Sequence, residues 1–153
     1  MAQDRDAVAI ARAIIDSNLY MVVGTADATG LPWVSPVYYA PDGYREFLWI
    51  SSPDARHSLN IQARPEVGIV IFDSSVPINT GQGVYMSAVA QELDGSDVTD
   101  EIELFSQRSL RHGGRPFTAS DVREPSRLRL YRATAFDHYV LETGVDRRIR
   151  VTP

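Results

Sequence analysis

Turn signals between the first apolar runs restrict how those runs can pair. Residues 27–30 (DATG) separate two strand candidates, 19–26 and 31–40. A second turn signal at 41–43 (PDG) precedes a third candidate at 47–51. Connections this short suit antiparallel hairpins, because parallel strands need a crossover of a dozen or more residues. We therefore expect an antiparallel barrel of at least six strands rather than a parallel sheet.

The remaining patterns add helices around this barrel. Helices are predicted at 4–16, 52–64 and 97–112, and strands at 67–72, 83–93 and 128–142. Ser52 is expected to cap the second helix, with Pro53 at its first position. The strand at 67–72 (VGIVIF) is apolar except for its glycine, which predicts that both of its faces are buried.

Together these elements predict a mainly β fold with peripheral helices. At 153 residues, the chain is expected to form a single domain over 1–153. The tail at 146–150 (DRRIR) is interpreted as a solvated basic end rather than an anion site.

Two residue types are missing, and their absence excludes several chemistries. The sequence has no cysteine, and all fifteen basic residues are arginine. Disulfides, thiolate metal sites, Schiff-base catalysis and a Walker-type phosphate loop are therefore excluded. Any anion held by side chains here must be held by arginine, histidine or hydroxyl groups.

Charge and hydropathy predict where the protein acts. The net charge of -5 argues against nucleic acid as a partner, since phosphate backbones demand a basic surface. No apolar run approaches the roughly 18 residues of a membrane span. The acidic N-terminal residues do not form a secretory signal, which favours a cytoplasmic protein.

The junction between the third strand and the second helix concentrates anion-binding groups. Ser51 and Ser52 stand where a helix N-terminus would present free N–H groups, and Arg56 and His57 follow one turn later. Arginine matches a phosphate in a two-pronged contact. A phosphate site is one interpretation; an ordinary helix start with a solvated arginine is the alternative.

Glutamine and histidine positions are less informative. Gln82 and Gly83 open a strand, where a bulge or turn competes with an amide aimed at a heterocycle. His57, His112 and His138 lie far apart in sequence, so no metal site is expected. No G-x-S-x-G elbow supports serine-hydrolase chemistry, and the catalytic residues stay unknown.

The order of these segments resembles the pyridoxamine 5'-phosphate oxidase-like FMN-binding split-barrel family. The similarity is carried by TADATGLPWVSPVYYA, FLWISSPDARHSLNIQARPEVGIVIFD and GQGVYMSAVAQEL. It implies a homodimer with FMN at the interface. The resemblance places the FMN-binding residues at Val34, Ser35, Pro36, Val37, Ser51, Ser52, Arg56, His57, Gln82 and Gly83. Among these, Val34 to Val37 would run beside the flavin ring.

The resemblance implies an FMN-dependent oxidoreductase that uses a small-molecule electron donor or acceptor. Tyr38 and Tyr85 are candidate proton donors or packing residues. Ala55 stands where many relatives carry a serine, and the substrate-phosphate arginines of true pyridoxamine phosphate oxidases are not found. The alternatives are binding of flavin, deazaflavin or haem without catalysis, with His57 or His138 as the haem ligand.

Overall fold

The computed structural model describes residues 2–142 and 144–153, with side chains from residue 5 onward. The helices are α1 (Ala2–Ser17), α2 (Arg56–Ala63) and α3 (Gly95–Arg111), with a 3-10 helix at Ala119–Val122. The strands are β1 (Tyr20–Ala26), β2 (Pro32–Tyr38), β3 (Ala40–Asp42), β4 (Glu46–Ser51), β5 (Glu66–Phe72), β6 (Gly83–Glu92), β7 (Arg129–Leu141) and β8 (Arg148–Val151). Among the residues described, no helix is both long enough and apolar enough to cross a membrane.

All strands belong to one sheet, whose order is β2-β1-β5-β6-β7-β4-β3 with β8 added to β7. Every pair described is antiparallel. β2 and β3 stand at opposite ends of this order, yet a single residue, Tyr39, connects them. The sheet must therefore curl until its two ends meet. This confirms the predicted mainly β, antiparallel split barrel.

The barrel interior holds the larger of two apolar clusters, covered at one end by α1. Phe47 and Trp49 of β4 are fully buried there, together with Tyr39 and with Ile15 of α1. The buried hydroxyl of Tyr39 donates a hydrogen bond to the Ile15 carbonyl at 2.6 Å. This bond fixes α1 against the connection between the two ends of the sheet, because a buried polar group must find a partner.

Two local predictions are wrong at the edges of β4. Pro41 and Asp42 belong to β3, and the turn falls at residues 43–45, where Gly43 adopts a φ of 59°. Helix α2 begins at Arg56, with Ala55 rather than Ser52 as its N-cap. The Ser52 hydroxyl instead accepts a hydrogen bond from the Asp54 N–H at 3.2 Å. A serine can satisfy a nearby turn as readily as a helix end.

β5 contradicts the prediction that both faces of VGIVIF are buried. Val67, Ile69 and Ile71 face the core, whereas Gly68 and Phe72 are exposed. The sheet is wrapped around one interior, and no described element of the chain covers this part of its outside. The arginines of the basic tail are exposed, as predicted, but residues 148–151 also form β8 beside β7, which the sequence pattern did not indicate.

Candidate functional site

His57 joins β2, at one end of the curled sheet, to β4, the strand next to the other end. Its Nε2 lies 2.7 Å from Ser51 Oγ at the end of β4, and its Nδ1 lies 3.2 Å from Ser35 Oγ on β2. The strand order does not pair β2 with β4. One imidazole from α2 thus bridges two strands by side-chain contacts.

Arg56 and Trp33 complete this group on its outer side. The Arg56 guanidinium carbon lies 4.5 Å from the centroid of the Trp33 ring, and Trp33 Nε1 donates to Ser35 Oγ at 3.0 Å. Arg56 is exposed, and no described acidic group forms an ion pair with it. We call Trp33, Ser35, Ser51, Arg56 and His57 the seam cluster. It holds a cation whose charge the protein does not neutralise.

Helix α2 is anchored so that its first turn stays at the seam. The buried Asn60 donates through Nδ2 to Thr25 Oγ1 at 3.0 Å, and Thr25 Oγ1 donates to the Trp33 carbonyl at 3.3 Å. At the far end of the helix, Arg64 Nη2 donates to the Ala28 carbonyl at 3.1 Å. These contacts tie α2 to β1 and to the β1–β2 turn, which limits how far Arg56 and His57 can move.

The N-terminus of α2 lacks a side-chain cap. Ala55 occupies the cap position, and no side-chain oxygen accepts from the first turn of the helix. First-turn N–H groups have no partner within a helix, and they carry the positive end of its dipole. Ser51 and Ser52 end the preceding strand and open the loop. The arrangement therefore presents donors and positive charge together, as an oxyanion requires.

Burial lowers the pKa of His57 from its ordinary value of 6.5. The imidazole is therefore neutral at neutral pH, with one ring nitrogen donating and the other accepting. Because Ser35 and Ser51 hydroxyls can take either role, both tautomers satisfy the bridge. Arg56, not His57, supplies the full positive charge of the seam cluster.

The predicted ring-side residues divide between the two faces of β2. Ser35 belongs to the seam cluster, and Val37 is buried in the core at 8% exposure. Val34 is 65% exposed, and Pro36 is exposed on the same outer face. The strand alternation explains this division, since neighbouring side chains point to opposite faces.

Gln82 and Gly83 are not brought to the seam cluster within one chain. Val34, next to Ser35 of the seam cluster, pairs with Gly24 of β1, and Gly24 lies level with Gly68 and Ser87. Gly83 is four residues further along β6. At about 3.3 Å per residue this displaces Gly83 by about 13 Å. The Gln82 Oε1 atom is buried and has no hydrogen-bond partner among the described residues.

The remaining candidates are engaged in local contacts. His138 donates from Nε2 to the Tyr44 carbonyl at 2.7 Å, and burial lowers its pKa. Tyr38 Oη lies 2.9 Å from His112 Nδ1, and burial raises the Tyr38 pKa. Arg148 stacks 4.9 Å from the centre of the Tyr85 ring. Neither proposed haem ligand presents an unoccupied Nε2.

One cluster of acidic side chains was not predicted from the sequence. Carboxylate oxygens of Asp42, Glu46 and Glu101 all lie within 4.8 Å of one another. Burial raises the pKa of Glu101, and Arg132 Nη1 lies 3.5 Å from its carboxylate. The arginine already balances part of this charge, so the group does not amount to a metal site.

Sequence reasoning identified the serines, Arg56 and His57 but missed three supporting residues. Trp33, Asn60 and Thr25 lie up to 35 positions apart and meet only through the curl of the sheet. The available signal in the sequence was the tryptophan between Pro32 and Pro36, because packing in a core does not explain an exposed tryptophan at that position.

The geometry defines a split barrel with an exposed arginine beside an uncapped helix N-terminus at its seam. Comparison with known proteins gives its family. The sequence pattern of the pyridoxamine 5'-phosphate oxidases matches residues 9–137. The chain belongs to the pyridoxamine 5'-phosphate oxidase family, which confirms the resemblance seen in its motifs. No curated protein matches the sequence closely enough to add a more specific relationship.

Solved structures share the fold at low sequence identity. HutZ, the haem storage protein of Vibrio cholerae, is 19% identical with a TM-score of 0.65, over 82% of this chain and 87% of HutZ. A haem-binding protein of Mycobacterium smegmatis is also 19% identical, with a TM-score of 0.73 over 93% of this chain but 56% of its own. An F420 reductase is 16% identical, with a TM-score of 0.61 over 83% and 94% of the two chains.

Proposed function

We propose that this protein binds FMN, with its phosphate at the seam cluster, and uses it as an oxidoreductase. The observation that carries the proposal is the unneutralised Arg56 guanidinium beside an uncapped helix N-terminus and the Ser51 hydroxyl. Each group donates to or attracts an oxyanion, and each comes from a different local feature. The fit to a phosphate therefore does not depend on one residue.

Each residue of the seam cluster has its own role in this proposal. Arg56 supplies charge, and the Trp33 ring holds its guanidinium at the surface. Ser51 supplies a hydroxyl whose direction His57 sets. The first-turn N–H groups of α2 supply further donors. When bound, the flavin carries hydride and electron transfer, and the protein positions and tunes it.

A deazaflavin cofactor with a phosphate would use the same seam groups, and the F420 reductase is a structural neighbour. Haem is the second alternative, since two structural neighbours are a haem storage protein and a haem-binding protein. Against haem, both ring nitrogens of His57 contact serines, and His138 donates to a backbone carbonyl. The geometry favours a phosphorylated flavin over haem.

Reconstitution with each cofactor tests the proposal. Protein freed of cofactor is incubated with FMN or with haem, passed through gel filtration, and examined by absorption spectroscopy. We expect a flavin spectrum that co-elutes with the protein and is bleached and restored by a small-molecule electron donor and acceptor. A stable Soret band together with no retained flavin would contradict the proposal. Flavin that stays bound but is never reduced would indicate a flavin-binding protein without catalytic turnover.

We also propose a homodimer, joined through the outer face of β2, β1, β5 and β6. This outer face carries Tyr20, Val34, Val70, Phe72 and Tyr85, which the strand register places on one side of the sheet. Several of these side chains are largely exposed, including Phe72 at 48%. A contiguous exposed apolar surface is unusual for a monomer, and tyrosine is enriched at interfaces. A partner's Gln82 would then have a route to the flavin.

Sedimentation tests the homodimer. The wild-type protein is expected at twice 17.0 kDa, and Phe72→Asp is expected at 17.0 kDa because a charge is placed in the apolar contact. Leu110→Asp, at a similarly exposed apolar residue on α3, is the control and should remain dimeric. A wild-type particle of 17.0 kDa with flavin bound would exclude the homodimer.

A further inference from the structure

A second cleft lies on the other side of α2 from the seam cluster. It has a volume of about 430 Å³ and is lined by α2, by the end of β6 and by Tyr131 of β7. Ile61 and Ala90 form an apolar part of its wall, and Pro53 and Pro65 stand at its ends. The cleft is open to solvent and contains none of the five seam residues.

Ser58 gives this cleft an unused hydrogen-bonding group. The residue is 4% exposed and lines the cleft, and its Oγ has no hydrogen-bond partner of good geometry among the described residues. The hydroxyl lies near enough to Tyr131 to lower the pKa of that phenol, although burial dominates and raises the pKa overall. Buried hydroxyls are nearly always paired, so an unpaired one needs an explanation. A ligand in the cleft would supply the missing partner.

The charge of the cleft is negative. Glu92 contributes a carboxylate, which accepts a long hydrogen bond of 3.3 Å from the Tyr131 hydroxyl. None of the described residues that line the cleft is basic. The nearby Arg129 is already held by the carbonyls of Ser126 and Leu128. Glu92 is exposed, and its carboxylate stands beside the apolar walls with one long hydrogen bond among the described residues. This arrangement favours a cation attached to an apolar body.

We propose that this cleft binds a small organic amine. The ammonium group lies against Glu92, the apolar body packs on Ile61 and Ala90, and a polar atom of the ligand pairs with Ser58. The Tyr131 ring, which stacks on Trp49 with centroids 5.5 Å apart, forms a rigid floor. This site is separate from the cofactor seam, although both use α2, and the proposal does not depend on which cofactor binds there.

Calorimetric titration with three aromatic probes of equal size tests the site. Phenethylamine carries a positive charge, 2-phenylethanol is neutral and phenylacetate is negative. We expect measurable binding of phenethylamine at millimolar concentration, weaker binding of the alcohol and none of the acid. Glu92→Gln should weaken the amine about tenfold and leave the alcohol unchanged, because the lost contact is charge-assisted.

Two further variants separate the site from general effects of substitution. Glu103→Gln removes an exposed carboxylate from α3, outside the cleft, and should bind all three probes as the wild type does. Ser58→Ala should weaken the amine and the alcohol about threefold with little change in thermal stability, because its hydroxyl has no partner of good geometry to lose among the described residues. Absence of phenethylamine binding, equal affinity for the three probes, or an amine preference that persists in Glu92→Gln would overturn the proposal. FMN binding by the same variants should be unchanged.

Discussion

The two sides of β4 meet their neighbours in different ways. On one side, Glu46–Ser51 pairs residue by residue with β7 through backbone hydrogen bonds. On the other side, only the first half of β4, Glu46 to Leu48, pairs with β3. No backbone ladder links the second half of β4 to β2 in the described sheet, and His57 connects these two strands through Ser51 and Ser35. The first junction consists of backbone N–H and C=O groups, which do not depend on the identity of the side chain. The second depends on a few particular side chains.

This difference separates a junction closed to ligands from one that a ligand can reach. A backbone ladder leaves no donors available to a ligand, and the side chains beneath it, Phe47 and Trp49, are fully buried. At the seam, hydroxyls, an imidazole and an arginine remain partly or fully accessible. A ligand can therefore add to the seam contacts without breaking the sheet, whereas the ladder side can only be damaged by substitution.

The ladder side should carry the larger share of stability. Trp49 is fully buried and stacks on Tyr131, so Trp49→Ala should reduce the free energy of unfolding by about 3–5 kcal/mol. Trp33 at the seam is 42% exposed, and Trp33→Ala should cost about 1 kcal/mol or less. Chemical denaturation of both variants makes the comparison. Equal losses would show that the seam is as structural as the ladder.

Removing the bridge should have an intermediate effect. His57→Ala deletes contacts to both serines and should lower the free energy of unfolding by about 1–2 kcal/mol at neutral pH. His112→Ala removes an exposed histidine with a single side-chain contact, to Tyr38, and serves as the matched control with a smaller loss. Urea denaturation at fixed pH measures both. A His57 variant as stable as the control would mean that the seam closes without its bridge.

The pH dependence of stability should follow from the two more buried histidines. Burial lowers the pKa of His57 and His138 below the ordinary value of 6.5, so the folded state binds protons less readily than the unfolded state. The stability associated with the neutral imidazoles is complete above pH 6.5 and is lost as pH falls through the lowered pKa values. Denaturation across this range should show that decline. His57→Ala should make it shallower, and an unchanged slope would contradict the assignment for His57.

Sequence patterns predicted the elements but not all of their ends. The helical spacing of apolar residues located α1 and α3, and turn residues located the first hairpin, because these signals are local. Ser52 and Pro53 suggested a helix start, yet the helix begins at Arg56. Several competing turn geometries satisfy Ser-Pro-Asp equally well, and only the path from β4 decides among them.

The residues of the candidate site were also predicted only in part. Ser51, Arg56 and His57 are close in sequence, so their association followed from one strand end and one helix turn. The contact between His57 and Ser35 spans 22 positions and exists because the sheet curls. The exposure of the outer face of β5 could not be predicted either. An apolar strand has the same sequence pattern whether its second face packs against a core or against another subunit.

The central claim is that the seam cluster holds the phosphate of a flavin. Its most direct test is to titrate FMN and riboflavin, which lacks the phosphate, into cofactor-free wild type, Arg56→Ala and the control Arg45→Ala by fluorescence quenching. Arg56→Ala should weaken FMN binding by about ten- to a hundredfold and leave riboflavin binding nearly unchanged, because only the charged contact is lost. Arg45→Ala should alter neither. FMN affinity that is unaffected by Arg56→Ala, or an equal loss for both flavins, would contradict the account.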